Sequence, residues 1–168
     1  MIDAIVYNSN TGFTKQYAYS FAVKIGVPIY SLKESKKLKH GSKIIFFTWI
    51  RADKLVGLKA VKKYELIKVC AVGLRSYSEE LIDKLKEINN LSEIYYLKGG
   101  IRMYKLNLLY RSLINMIAKS LKKKEKKNII TQEEKDLLDS INNNFEYIDL
   151  GSLDILISWY MNNNSYVC

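Results

Sequence analysis

The chain alternates short apolar runs with longer segments in which apolar residues recur every three or four positions. The short runs predict buried strands, and they occupy residues 4–7, 28–32, 44–48, 66–72 and 94–97. The periodic segments predict amphipathic helices between these strands. Strands that are apolar throughout and alternate with helices form a parallel sheet that is covered on both faces. We therefore predict an α/β domain with three layers, α/β/α, around a five-stranded parallel sheet.

Start and stop signals set the ends of several helices. The first helix is predicted to start at Phe13 and to be stopped by Gly26. Ser78 is a suitable N-cap for a later helix, because its hydroxyl can accept a hydrogen bond from a free backbone N–H group. The segment from Asp53 to Tyr64 is also predicted to be helical, because its apolar residues share one side of a helix. These residues are Leu55, Leu58 and Val61.

A basic helical insertion is predicted after the fifth strand. Its apolar stripe consists of Leu106, Leu109, Leu113, Met116, Ile117 and Leu121. The segment from Lys119 to Lys127 contains six lysines and one glutamate, which is +5 of the chain's net charge of +10. Thr131 and Glu134 form the capping box of a further helix, and a terminal helix is predicted from Leu153 to Tyr160. The stripe permits two interpretations, which are packing on the sheet and contact with an anionic membrane beside the lysines.

Composition favours a single compact domain that spans residues 1–168. Hydrophobic residues make up 48% of the chain and there is one proline, so a core can form and no linker is evident. No apolar run approaches the ~20 residues of a membrane span. The N-terminus lacks the basic and apolar regions of a signal peptide. We therefore expect a cytoplasmic protein, with any membrane association confined to the basic insertion.

Few residues suit a metal site or a nucleophilic triad. Cys70 lies inside an apolar run, Cys168 is the last residue, and the single histidine, His40, lies in a polar turn. The two cysteines have neither the CxxC pattern nor metal-ligand spacing. The sequence therefore argues against zinc and against histidine-dependent catalysis, and we assign no side chain as a general acid or base.

The loop after the first strand has the chemistry of a phosphate site. It consists of Ser9, Asn10, Thr11, Gly12, Phe13 and Thr14. Backbone N–H groups at the start of a helix are unpaired and lie at the positive end of its dipole, and the hydroxyls add further donors. The loop contains neither GxxxxGK[ST] nor GxGxxG. It therefore favours one phosphate over a pyrophosphate or triphosphate, and the alternative is a polar cap that only starts the helix.

The pattern Ser9-x-Thr11-Gly12-x-Thr14 resembles the FMN phosphate motif [ST]-x-T-G-x-T of the flavodoxin family. The resemblance extends to the order of strands and helices over nearly the whole chain. It implies a flavodoxin-like fold and a flavoprotein that acts in electron transfer or as an oxidoreductase. It also implies that two later loops contact the flavin ring, through Trp49, Ile50, Arg51, Leu74, Arg75 and Tyr77.

A closer resemblance is to the menaquinone-dependent protoporphyrinogen oxidase branch of that family. The Ile50-Arg51 pair and the segment from Gly99 to Asn107, which leads into the insertion, are similar to that branch. One departure is Asp53, near which the branch usually has a glycine. This resemblance implies two-electron dehydrogenation of a tetrapyrrole at FMN, with electrons passed to a membrane quinone. A redox partner protein is the other partner that the flavodoxin resemblance implies.

The basic charge also permits a function of another class. A net charge of +10 and 13 tyrosines are compatible with a nucleic-acid-binding module that keeps a degenerate flavin site. No nucleic-acid recognition motif is present, however, and the lysines cluster in the insertion. Bound flavin in the purified protein would distinguish the two classes.

Overall fold

The computed structural model describes residues 1–143 and 148–164, and Cys168 lies outside them. The strands are β1 (Ala4–Tyr7), β2 (Ile29–Ser31), β3 (Lys43–Arg51), β4 (Lys54–Leu55), β5 (Glu65–Gly73) and β6 (Tyr95–Lys98). The helices are α1 (Phe13–Ile25), α2 (Glu79–Asn89), α3 (Leu108–Lys126), α4 (Gln132–Asn142) and α5 (Asp154–Asn164). Five strands are parallel in the order β2-β1-β3-β5-β6, and β4 pairs antiparallel with β3. This is the flavodoxin-like doubly wound order, so the predicted fold is confirmed.

Apolar side chains cover both faces of the sheet. Phe46 and Phe47 are neighbours in β3 and are fully buried on opposite faces, as alternation along a strand requires. On one face, Phe21 of α1 packs against Phe47 and against Tyr160 of α5, with ring centroids 5.7 and 6.3 Å apart. On the other face, Phe46 packs with the 3₁₀ turn Leu58–Val61. The central strand is thus buried from both sides, which fixes where its carboxyl end emerges.

The predicted helix from Asp53 to Tyr64 is wrong. The chain instead turns back on β3 as the short strand β4 and then forms the 3₁₀ turn Leu58–Val61. Ala52 and Asp53 both have positive φ, 47° and 60°, as a two-residue hairpin turn with the twist of the sheet requires. Leu55, Leu58 and Val61 are three positions apart, and this spacing is compatible with a 3₁₀ turn as well as with an α-helix. The spacing alone therefore could not distinguish the two.

The basic insertion forms two helices, α3 and α4, and both were predicted from the sequence. Together they make a helical hairpin. The two helices share a small apolar contact that consists of Ala118, Leu121, Leu138 and Ile141. Thr131 and Glu134 form the predicted capping box at the start of α4. The apolar stripe of α3 does not pack on the sheet along its length, because Leu109 is 76% and Met116 is 64% exposed. In the described part of the chain, no helix combines the length and apolar character needed to cross a membrane.

Candidate functional site

A cleft of about 420 Å³ opens where the carboxyl ends of the parallel strands meet the insertion. Its volume lies within the ~300–1,000 Å³ of typical cofactor sites. We call it the carboxyl-edge cleft. The loops of the sheet contribute Asn10, Thr11, Phe13, Thr14, Trp49, Ile50, Arg51, Leu74 and Arg75 to its lining. The insertion contributes Tyr110, Leu113, Ile114, Ile117, Leu137 and Ile141. Nine of the twelve predicted site residues therefore lie in one cleft.

The predicted phosphate loop turns sharply into α1. Gly12 precedes the helix with φ +101°, a conformation that L side chains rarely adopt. Its backbone N–H donates to Ser9 Oγ over 3.1 Å. Phe13 and Thr14 are buried in the first turn of α1, so the loop is anchored to the core. The loop therefore lies at the N-terminal end of α1, where phosphate binding remains the prediction from the sequence.

A second, more open hollow of about 420 Å³ adjoins the loop on its outer side. We call it the basic hollow. Ser9 and Gly12 line it together with Asn10 and Thr11, which also line the carboxyl-edge cleft. Its charged lining residues are Lys15, Lys33 and Lys105. No carboxylate is among the described residues that line it. The loop therefore stands between an apolar cleft and a cationic surface, which suits a ligand with an apolar body and a phosphate end.

Two cations that sequence reasoning did not assign to the site lie beside this loop. Arg102 Nη1 donates to the Thr11 carbonyl over 3.4 Å, and its guanidinium lies 4.3 Å from the centre of the Phe13 ring. A Cβ atom on Gly12 would lie 3.2 Å from Arg102 Nη1 and 3.9 Å from Lys105 Nζ. The sequence held one signal: both cations follow β6, whose carboxyl end lies at the same edge of the sheet as the loop.

Away from the loop, the cleft is lined by residues of β3 that contact the insertion. The Trp49 and Tyr110 rings meet edge to face, with centroids 5.8 Å apart and planes at 78°. Arg51 Nη1 donates to the Tyr110 hydroxyl over 2.9 Å. Trp49, Ile50 and Arg51 therefore form one wall, and Tyr110 connects that wall to α3. This end offers aromatic and aliphatic surface of the kind that a planar ring requires.

The hairpin turn at Asp53 is clamped from three directions. Its carboxylate binds Arg75 Nη2 at 2.5 Å and Lys84 Nζ at 2.9 Å. Its backbone carbonyl accepts from Asn89 Nδ2 at 2.9 Å, and Asn89 Oδ1 accepts from the Leu55 N–H at 2.8 Å. Burial would raise the pKa of the Asp53 carboxyl, but Lys84 and Arg75 together hold that pKa below its usual range. The turn is therefore held to α2 and to the loop after β5.

The loop after β5 is held from beneath by Tyr96. The Tyr96 hydroxyl donates to the Arg75 carbonyl over 2.6 Å, and burial raises the pKa of that hydroxyl. Leu74 and Arg75 consequently face the carboxyl-edge cleft from a fixed backbone. Tyr77, in contrast, is 66% exposed and does not line the cleft. It directly precedes Ser78, the N-cap of α2, where the chain has already turned towards the surface.

Within residues 1–143 and 148–164, no group of acidic, cysteine or histidine side chains is arranged to hold a metal ion. The structure brings together the predicted phosphate loop, the carboxyl-edge cleft and the basic hollow. These parts fit FMN by their chemistry: hydroxyls, amides and cations at one end, and aromatic and aliphatic side chains at the other.

Comparisons with known proteins identify the family of the domain. A family model described as "Flavodoxin domain" matches residues 4–128. Among solved structures, a flavodoxin from the domain Archaea is 15% identical, over 84% of this chain and 99% of that chain, with a TM-score of 0.35. No curated protein sequence matches the chain.

Proposed function

Because this chain belongs to the flavodoxin domain family, we propose that it binds FMN in the carboxyl-edge cleft and acts as a redox protein through that cofactor. The observation that carries the proposal is the continuity of the site. The phosphate loop, from Ser9 to Thr14, contributes residues to both the basic hollow and the carboxyl-edge cleft. One molecule with a phosphate end and a planar end would occupy both.

The residues of the chain divide the work of binding. Amides and hydroxyls of the loop would hold the phosphate, while the part of the cleft for the ring is lined by Trp49, Ile50, Arg51, Leu74 and Arg75. The apolar walls would exclude water from the ring, and the Asp53–Arg75 ion pair joins the two loops. When bound, FMN supplies the redox chemistry, because its ring takes up and releases electrons, and the protein supplies position and electrostatics.

Flavin retention tests this proposal directly. We expect the purified protein, reconstituted with FMN and passed through a desalting column, to keep about one FMN per chain, since the cleft accommodates one cofactor. The yellow absorption should be released by denaturation. A protein that keeps no FMN but binds nucleic acid would contradict the proposal and favour the nucleic-acid-binding alternative.

A second candidate is a two-electron dehydrogenase of the protoporphyrinogen oxidase type, with a quinone as acceptor. The observation that favours it is the apolar lining that the insertion adds to the cleft. Ile114, Ile117, Leu137 and Ile141 extend the cleft beyond the loops of the sheet, and this surface suits a planar apolar reactant. Stepwise reduction followed by absorption separates the candidates. Direct passage to fully reduced flavin favours the dehydrogenase, and accumulation of a one-electron form favours an electron shuttle.

The exposed apolar residues of α3 make an anionic membrane a candidate partner of this site. Leu108, Leu109 and Met116 are all more than half exposed, and the helix continues into the basic segment from Lys119 to Lys127. Apolar residues that enter a bilayer and lysines at its surface act together, each lysine contributing about 1 kcal/mol.

We expect the protein to sediment with phosphatidylcholine vesicles that contain phosphatidylglycerol, and to be released by high salt, because salt screens the lysines. Leu109→Ser with Met116→Ser should reduce this binding about tenfold, as expected for lost apolar burial. Ile155→Ser is the matched control, since Ile155 is an exposed apolar residue on α5. Equal binding to vesicles of phosphatidylcholine alone would contradict the prediction.

A further inference from the structure

We propose that Arg102 and Lys105 bind the phosphate of the cofactor, and that this contact fastens the insertion over the ring end of the cleft. The inference rests on the proposed FMN function. It adds two binding residues outside the phosphate loop and gives the loop a second role, the positioning of α3.

The two cations lie close to Gly12 in the predicted phosphate loop. Both lie on the side of Gly12 where a Cβ atom would project in another residue. Arg102 Nη1 is 3.2 Å and Lys105 Nζ is 3.9 Å from the position of such an atom. Arg102 already spans the loop, since it donates to the Thr11 carbonyl and lies over the Phe13 ring. A phosphate received by the amides around Gly12 would therefore lie within reach of both cations.

The surface around the loop is positively charged. Lys15 and Lys33 line the basic hollow together with Lys105, and no carboxylate is among its described lining residues. Arginine and lysine bind phosphate oxygens through charge-assisted hydrogen bonds, which are about twice as strong as neutral ones. A free hydroxyl in place of the phosphate would gain little from the same cations. The site should therefore distinguish FMN from riboflavin.

The two cations are also connected to the insertion through the backbone. Arg102 directly precedes the 3₁₀ turn Met103–Lys105, and Lys105 is its last residue. Helix α3 starts shortly afterwards at Leu108, with Asn107 as its N-cap. Arg111 Nη2 donates to the Met103 carbonyl over 3.1 Å, which joins α3 to that turn. Tyr110, in the first turn of α3, contacts Trp49 and Arg51 at the ring end. A phosphate held by the turn thus fixes the residue that closes the cleft.

The first experiment compares FMN affinity in matched variants by quenching of flavin fluorescence. We expect Arg102→Gln with Lys105→Gln to weaken FMN binding about tenfold to a hundredfold, the value of one or two charged hydrogen bonds, and to weaken riboflavin binding little. Lys122→Gln with Lys123→Gln is the control. It removes two charges from the same insertion at exposed positions about 22 Å along α3 from its start, and FMN affinity should stay within twofold.

The second experiment follows hydrogen exchange of backbone amides in residues 99–121. FMN should slow exchange in this segment of the unaltered protein more than riboflavin does, and the Arg102→Gln, Lys105→Gln variant should lose the difference. This readout does not depend on redox activity. Circular dichroism and the riboflavin affinity of the variant report whether its fold and ring site are intact.

The outcomes separate this inference from the function on which it rests. Failure of the unaltered protein to bind FMN overturns both. Tight FMN binding that is unchanged in the Arg102→Gln, Lys105→Gln variant overturns the inference and leaves the function standing. Equal loss in the Lys122→Gln, Lys123→Gln control also overturns it, because the effect would then come from net charge alone.

Discussion

Gly12→Ala is expected to weaken FMN binding about a hundredfold, an effect equal to the loss of one or two charge-assisted hydrogen bonds. Gly12 has φ +101°, where an L side chain is strained, and its new Cβ atom would press on the Arg102 guanidinium at 3.2 Å. Relaxation of either strain moves the amides that start α1. Isothermal titration of the apoprotein with FMN measures the loss.

Gly26→Ala separates this effect from backbone strain in general. Gly26 also has a positive φ, 67°, at the C-terminal end of α1, but a Cβ atom there would contact nothing within 4 Å. Both variants should lose about 1 kcal/mol of the free energy of unfolding through strain. Only Gly12→Ala should lose FMN affinity. Comparable losses of affinity in the two variants would show that the phosphate does not depend on the local geometry of the loop.

The sheet and the phosphate loop could be predicted because their signals are local. A buried parallel strand is apolar throughout, as in the run that contains Phe46 and Phe47, and no surface position interrupts it. Ser9, Thr11 and Gly12 stand directly between such a strand and a helix. In an open α/β sheet, that position by itself places the loop at the ligand edge.

The hairpin after β3 could not be predicted by the same means. Its turn requires positive φ at Ala52 and Asp53, and alanine gives no sign of that conformation. The turn is stabilised by partners distant in sequence, namely Arg75, Lys84 and Asn89. Tertiary contacts of this kind override local propensity, so the apolar spacing alone favoured a helix that does not form.

The contacts that the insertion makes at the carboxyl-edge cleft could not be predicted from the sequence either. Its lysines and its apolar stripe predicted a basic helix, and that helix forms. Nothing local shows that Tyr110 contacts Trp49 or that Arg102 lies over Phe13, because these pairs are separated by 61 and 89 positions in the chain. Such contacts depend on the path of the connecting segment after β6, and only the structure supplies that path.

Gly73→Ala is expected to lower the free energy of unfolding by about 2–4 kcal/mol, through overpacking and the loss of one buried hydrogen bond. A Cβ atom at Gly73 would lie 2.5 Å from the Tyr96 hydroxyl and 2.9 Å from Ile50 Cδ1. Tyr96 cannot move aside without breaking its hydrogen bond to the Arg75 carbonyl. Chemical denaturation followed by circular dichroism measures the loss.

Tyr96→Phe completes a double-mutant cycle that identifies the cause. Alone, it should destabilise the protein by about 1–2 kcal/mol, because the Arg75 carbonyl loses its donor. In the Gly73→Ala background it should cost less, since the hydroxyl that the new Cβ atom would overlap is gone. Additive losses would show that Gly73 and Tyr96 act independently and would contradict the steric explanation. Because Leu74 and Arg75 directly follow Gly73 and line the carboxyl-edge cleft, Gly73→Ala should weaken FMN binding together with stability.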